Sequence, residues 1–144
     1  MTEKNDFSYY HPITVRYGDL DPQEHVNNAV YLTYLESARL GYYQKVGIWE
    51  GGKTVRTGMV VAHIDIDYIS PIFLGQAIQI GLRLKNLGNK SFTLAFQITD
   101  SSDNKPLARG TSVMVAYNDA EQKSVPLPKT WREKLLSYEE KRGS

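Results

Sequence analysis

The sequence has no cysteine, almost no net charge and no long apolar run, and each absence excludes a class of protein. Without cysteine there are no disulfides, no thiolate zinc site and no cysteine nucleophile. The 17 basic and 16 acidic residues give a formal net charge of +1, which favours neither nucleic acid nor an anionic membrane surface as a partner. No stretch has membrane-spanning length, and the N-terminus lacks the apolar run of a secretory signal. We therefore expect a cytoplasmic protein without membrane insertion.

The length and the apolar content predict one domain. A chain of 144 residues, 41% of them hydrophobic, can bury one core but has no room for two. Neither an internal repeat nor a low-complexity linker divides the sequence. We expect a single domain over 1–144.

The spacing of apolar residues predicts a strand, a helix and then four strands. A period of two over 11–17 predicts the first strand, which ends at Gly18. Apolar spacings of four, three and four from about Asn28 to Val46 predict a helix of about 19 residues, or ~28 Å. Asn27 is its predicted N-cap, and Gly47 its left-handed closing residue. A second, short helix is predicted over 130–141, after two prolines.

The four later strands are predicted from alternating apolar residues. These are Val60, Ala62, Ile64, Ile66 and Tyr68; Ile78, Ile80, Leu82 and Leu84; Phe92, Leu94, Phe96 and Ile98; and Val113, Val115 and Tyr117. Each strand is expected to turn one apolar face to the helix. The order of elements favours an α+β fold with a five-stranded antiparallel sheet wrapped around a long central helix.

Polar residues are densest between Asp19 and Asn28, where the first strand leads into the helix. The segment holds the carboxylates of Asp19 and Asp21, the imidazole of His25, and the amide Asn27. A helix N-terminus offers unpaired N–H groups and partial positive charge, which polarise a carbonyl oxygen placed there. A nearby carboxylate can then attack that carbonyl or activate water.

The same residues admit other interpretations. Aspartate, asparagine and proline before a helix commonly serve only as turn and capping residues. Asp-x-Asp with a histidine four residues later could bind a divalent cation, but no further ligands lie nearby in sequence, so we expect no metal site. A phosphatase with an aspartyl nucleophile would need a parallel sheet and a much longer chain.

Several motifs carry a family resemblance. The segments 15–22, 25–28 and 34–39 resemble the signature of hot-dog thioesterases of the 4-hydroxybenzoyl-CoA thioesterase type. The resemblance extends more loosely through 68–72, Gly75, 90–92 and 108–111, and so covers about residues 10–120.

This resemblance implies hydrolysis of an acyl-CoA thioester. It makes Asp21 the catalytic carboxylate, either nucleophile or general base, and assigns the backbone N–H of Asn28 to the thioester carbonyl. Asp19, His25 and Asn27 are then supporting residues of the loop. It implies no cofactor beyond the CoA of the substrate, and an assembly of subunits, a dimer or a homotetramer. The segment 25–28 is more similar to broad fatty acyl-CoA relatives than to the aryl-CoA member, so the acyl group is open.

The phosphates of CoA need cationic or hydroxyl partners, and the candidates are Arg83, Lys90, Ser91 and Arg109, together with Lys85. Two alternatives remain on the same fold. One is a module that binds acyl-CoA or acyl-carrier protein without hydrolysis, since fold alone does not confer activity. The other is a hydratase or dehydratase that would use His25 with an aspartate.

Overall fold

A six-stranded antiparallel sheet and two helices form the part of the chain that the computed structural model describes, residues 7–49 and 57–143. The elements follow in the order β1 (Tyr9–Thr14), a 3-10 turn (Tyr17–Asp19), α1 (Val30–Val46), β2 (Thr57–Tyr68), β3 (Ala77–Leu87), β4 (Ser91–Asp100), β5 (Pro106–Asn118), β6 (Lys123–Ser124) and α2 (Lys129–Gly143).

The strand order in the sheet is β1-β3-β4-β5-β2, and β6 pairs with β5. Neighbouring strands are antiparallel throughout, so β3, β4 and β5 follow one another through hairpins. Strand β2 comes before them in the chain but lies beside β5 at the end of the sheet. The 12 residues of β2 therefore form an outer strand.

One face of the sheet packs against α1 to form the core. The helix buries Leu35, Ala38 and Tyr42, each no more than 1% exposed. The predicted apolar faces of β3 and β4 are confirmed, with Ile80, Leu82, Phe92, Leu94, Phe96 and Ile98 all buried. Burial of a large apolar side chain is worth about 1.5–3 kcal/mol, so these rows hold the helix against the sheet.

One predicted strand face is wrong, and another holds only in part. In β5 the buried side chains after Leu107 are Ala108, Ser112, Met114 and Ala116, while the predicted row of Val113, Val115 and Tyr117 is half-buried on the other face. Both faces of β5 contain apolar residues, so alternation alone did not identify the inner one. In β2 the predicted row holds at Ile64 and Ile66, which pack half-buried against the core. Val60, which precedes a register shift between Val61 and His63, and Tyr68 at the end of the strand are more than 40% exposed.

The predicted boundaries also need correction. The sheet in the described residues has six strands rather than five, the sixth being only two residues long. The first strand ends at Thr14, before the 3-10 turn. Helix α1 has 17 residues with Ala29 at the N-cap, and Gly47 closes it with φ 99° as predicted. The second helix is confirmed over Lys129–Gly143.

Strand β1 approaches α1 closely at Gly41. A Cβ atom at this position would collide with the hydroxyl of Tyr9 and the ring of His11. These two side chains are joined by a hydrogen bond of 2.8 Å between Tyr9 Oη and His11 Nδ1. The absence of a side chain at Gly41 therefore sets the separation of strand and helix.

Helix α2 is fastened to this region through Glu139. Its Oε2 accepts hydrogen bonds from the hydroxyls of Tyr42, at 2.6 Å, and Ser8, at 2.8 Å. Neither helix of the described chain is both long and apolar enough to cross a membrane.

Candidate active site

The polar loop between the 3-10 turn and α1 is closed on itself and tied to the β2–β3 loop. Leu20 and Val26 form an antiparallel bridge, and Asp21 N donates to His25 O at 2.8 Å. Val26 N donates to Ile72 O at 2.8 Å. These bonds place the side chain of Asp21 beside the start of α1.

Asp21 is half-buried, and its two carboxylate oxygens have different surroundings. Oδ1 accepts hydrogen bonds from Gln23 N at 2.9 Å and His25 N at 3.3 Å. Within residues 7–49 and 57–143 nothing donates to Oδ2. One oxygen is therefore fixed, while the other is available to a substrate or a water molecule.

The start of α1 offers an unused donor at Asn28. Ala29 N donates to the side-chain Oδ1 of Asn27 at 2.8 Å, and Val30 N donates to Asn27 O at 2.8 Å. Asn27 therefore closes the turn ahead of the helix instead of forming its N-cap. The N–H of Asn28, between these two, donates to no acceptor in the described part of the chain. A free N–H at this end of a helix lies in its partial positive charge.

Asp21, His25 and Asn28 line one open cavity of about 350 Å³. Its other lining residues are Val26, Tyr31, Tyr68, Ile69, Ser70 and Pro71. The rings of Tyr31 and Tyr68 meet edge to face, with centroids 4.9 Å apart, and Tyr68 Oη donates to Asn28 O at 3.4 Å. Burial, with a smaller effect of Tyr68, raises the pKa of Tyr31, which keeps this hydroxyl neutral.

The cavity includes residues that sequence reasoning did not single out as a site. The segment 68–71 leaves β2 at the sheet edge and passes beside the helix start. In the sequence it belongs only to the looser part of the motif match. Its contact with Asn28 depends on the position of β2 in the sheet, which is a property of the tertiary fold.

Asp19 lies outside this cavity and is only 3% exposed. Its Oδ2 accepts hydrogen bonds from Tyr34 Oη at 2.7 Å and Arg16 N at 2.9 Å, and Oδ1 contacts Arg16 Nη2 at 3.3 Å. Burial alone would raise the pKa of Asp19, but the hydrogen bonds from Tyr34 and Arg16, together with the Arg16 charge, hold it below its usual value. Its carbonyl accepts from Asn27 N at 2.9 Å, so Asp19 connects the turn to the helix start.

The four residues predicted for the CoA phosphates do not come together. Arg83 and Arg109 line a cavity of about 430 Å³ with Lys85 and Asp67, on the sheet face away from α1. Arg83 lies 6.0 Å from the ring centroid of Phe7. Lys90 lies in the β3–β4 turn and Ser91 begins β4, and neither pair lines the cavity of Asp21. Their role toward CoA stays a prediction.

Metal ligands do not cluster in the described residues. No group of three or more histidine, cysteine, aspartate or glutamate side chains in 7–49 and 57–143 could hold a metal ion.

One family and two relatives match most of this chain. Residues 15–135 match the family described as the thioesterase-like superfamily. The long-chain acyl-CoA thioesterase FadM of Escherichia coli is 32% identical over 123 residues, which cover 85% of this chain and 93% of FadM. A thioesterase of Thermus thermophilus, solved in complex with coenzyme A and Zn, is 35% identical with a TM-score of 0.80, over 93% of this chain and 96% of its own.

The fold extends to more distant proteins. Slr0204 of Synechocystis, a 1,4-dihydroxy-2-naphthoyl-CoA thioesterase, has a TM-score of 0.77 at 18% identity, over 89% of this chain and 95% of its own. The chain belongs to the thioesterase-like superfamily, with the hot-dog fold, and it is a thioester hydrolase. The family resemblance seen in its motifs is thereby confirmed.

Proposed function

We propose that this protein hydrolyses acyl-CoA thioesters to free acid and CoA, with Asp21 and the helix start at Asn28 as the reacting groups. One observation carries the proposal: the unbonded carboxylate oxygen of Asp21 and the unbonded N–H of Asn28 belong to residues that line the same cavity. The names of two relatives support the substrate class, since FadM acts on long-chain acyl-CoA and the Thermus thioesterase binds coenzyme A.

In the proposed reaction the thioester oxygen lies at the Asn28 N–H, where helix-end charge stabilises the oxyanion of the tetrahedral intermediate. Asp21 then acts in one of two ways. As a general base it takes a proton from the attacking water, and collapse of the intermediate expels the CoA thiolate. As a nucleophile it forms a mixed anhydride and expels the thiolate, and water then cleaves the anhydride to the acid. Single-turnover hydrolysis in isotopically labelled water tests for the anhydride, because label that appears in the Asp21 carboxylate instead of the released acid excludes general-base attack.

The neighbouring polar residues support this loop rather than the reacting carbonyl. The backbone N–H of His25 holds Asp21 Oδ1, and Asn27 closes the turn before α1. Asp19 binds Asn27 through its carbonyl. We assign positioning roles to His25, Asn27 and Asp19 on these contacts. A cytoplasmic location, and the absence of a cofactor other than the CoA of the substrate, stay predictions.

Steady-state thiol release from acyl-CoAs of increasing chain length tests the reaction. We expect Asp21→Asn to lower kcat by about 10²–10⁴, the usual contribution of an acid–base group, because the amide keeps the shape but neither accepts a proton nor attacks. Glu36→Gln is the matched control, since this exposed carboxylate lies on α1 outside the site cavity and should leave turnover at the wild-type rate. Equal rates for the wild type and Asp21→Asn would contradict the mechanism. Binding without turnover at any chain length would favour the non-hydrolytic module.

We further propose that two copies associate through β2, with a tetramer as a pair of such dimers. In the described residues β2 pairs only with β5, which leaves a long outer edge with Val60 and Val61 more than 40% exposed. Long apolar edge strands tend to pair with another chain. Analytical ultracentrifugation should show Val61→Lys shifted to a smaller species than the wild type. Leu136→Lys, which charges a similarly exposed side chain on α2, should not shift; equal sedimentation of both variants and the wild type would exclude β2 as the contact.

A further inference from the structure

The hydroxyl of Tyr68 lies at the start of α1, and the proposed reaction does not yet use it. Tyr68 is the last residue of β2 and lines the site cavity together with Asp21 and Asn28. Its Oη donates to Asn28 O at 3.4 Å. Within residues 7–49 and 57–143, no other side chain forms a hydrogen bond with the backbone of Asn28. The residue that carries the proposed backbone donor therefore has a second donor beside it.

The hydrogen bond of Tyr68 is long enough to be exchanged for a better one. Bonds from a hydroxyl to an oxygen are typically ~2.7–2.8 Å, so a separation of 3.4 Å makes a weak contact. A tyrosine hydroxyl has a single O–H donor, which serves the stronger acceptor when two are in reach. Hydrogen bonds to a charged oxygen are roughly twice as strong as those between neutral groups. An oxyanion near Asn28 would therefore take this donor from Asn28 O.

The distances allow the two donors to share one oxygen. The N and O atoms of a single residue are at most ~3.6 Å apart, so Tyr68 Oη lies no more than ~7 Å from Asn28 N. Two donors that bind the same oxygen lie ~5 Å apart. Even at that upper limit, a movement of ~2 Å brings the hydroxyl to an oxygen held by the Asn28 N–H.

Only the side chain of Tyr68 has to move. Ile69 N and Ser70 N both donate to Leu107 O, at 2.9 and 3.1 Å, which holds the backbone after Tyr68 against β5. The ring of Tyr68 rests edge to face on Tyr31, which is only 3% exposed. Tyr68 itself is 48% exposed, so its ring can rotate on this support. The hydroxyl is therefore placed near the reacting carbonyl without any change in the sheet.

We propose that the Tyr68 hydroxyl is a second oxyanion donor of this site, acting beside the Asn28 N–H. The proposal rests on the proposed function. As water or Asp21 adds to the carbonyl carbon, the π pair of the C=O bond moves onto oxygen, which accepts hydrogen bonds from both donors. Tyr68 keeps its proton throughout. Collapse returns the pair to the C=O bond and breaks the C–S bond, and CoA leaves as the thiolate.

Tyr68→Phe tests the donor, because it removes the hydroxyl and keeps the ring contact with Tyr31. We expect kcat for a long-chain acyl-CoA to fall by about 10², the lower end of the cost of losing an oxyanion donor. KM should change by less than about twofold, because the bond forms only in the transition state. Tyr117→Phe is the matched control, a half-buried tyrosine on β5 outside the cavity, and should keep the wild-type kcat. An unchanged kcat in Tyr68→Phe would overturn the proposal.

Infrared spectroscopy separates a direct donor from a residue that only supports the helix start. The C=O stretch of an isotope-labelled acyl-CoA bound to Asp21→Asn reports the hydrogen bonds to its oxygen. Adding Tyr68→Phe should raise the frequency, whereas a fluorinated tyrosine in place of Tyr68, a stronger donor, should lower it. Support alone predicts no such graded series. A reduced kcat with an unchanged frequency would therefore contradict the direct contact, and the fluorinated tyrosine keeps the test open if Tyr68→Phe does not fold.

Ser70 is the competing assignment, since it also lines the cavity and carries a hydroxyl. A loss of kcat in Ser70→Ala but not in Tyr68→Phe would overturn the role of Tyr68. The two proposals fail separately. If the wild type cleaves no acyl-CoA, the proposed function fails. If the wild type and Tyr68→Phe cleave acyl-CoA at the same rate and Asp21→Asn does not, only the second donor fails.

Discussion

Asp19 and Asp21 lie two residues apart in one loop, yet the two ends of that loop have opposite surroundings. Asp19 is buried and accepts hydrogen bonds on both carboxylate oxygens, from Tyr34 and Arg16. Asp21 is half-buried and keeps one oxygen unbonded within the described chain, at the wall of the site cavity. The comparison separates a carboxylate whose bonds are satisfied within the fold from one that keeps an oxygen for the proposed reaction.

The largest expected effect that separates the two ends is on stability. Asp19→Asn should lower the free energy of unfolding by about 2–3 kcal/mol, because an amide cannot accept all the hydrogen bonds that this buried carboxylate receives. Asp21→Asn keeps an oxygen for Gln23 N and His25 N, and should change it by less than about 0.5 kcal/mol. Urea denaturation of the two variants and the wild type measures both values. Equal losses of unfolding free energy in the two variants would contradict the proposed difference between Asp19 and Asp21.

A smaller effect should appear in the pH dependence of stability. The pKa of Asp19 is lower in the folded protein than in the unfolded chain, where it is about 3.9. The unfolded state therefore binds the proton first as pH falls, and the stability due to this carboxylate is complete above about pH 5 and decreases below about pH 4. We expect the difference in unfolding free energy between the wild type and Asp19→Asn to shrink over that window. A difference that is constant from pH 6 to pH 3 would show that the charge of Asp19 does not contribute.

Much of the architecture follows from local pattern. The 3.6-residue period of α1, the closing glycine at Gly47 and the apolar rows of β3 and β4 were predicted because each depends on residues close in sequence. The inner face of β5 and the exposure of β2 were not, because they depend on which strand neighbours which. The return of β2 to the far side of β5 is a long-range pairing that no local period contains.

The residues of the site also fall into those that local sequence predicts and those that depend on the tertiary fold. The approach of Asp21 and Asn28 to one cavity is a consequence of a short loop before a helix, which the sequence does predict. Tyr68 and Ser70 join that cavity through the tertiary path of β2, which depends on long-range strand pairing.

The bare backbone at Gly41 has a consequence at the opposite end of its helix. Thirteen residues separate it from Asn28, which corresponds to ~20 Å along a helix. Because the side chains of β1 contact the backbone of α1 at this position, the strand limits how far α1 can move over the sheet. Strand β1 thereby helps to fix the position of the Asn28 N–H, which it does not contact. In the proposed mechanism, a fusion that pulls β1 away from the helix should therefore lower turnover.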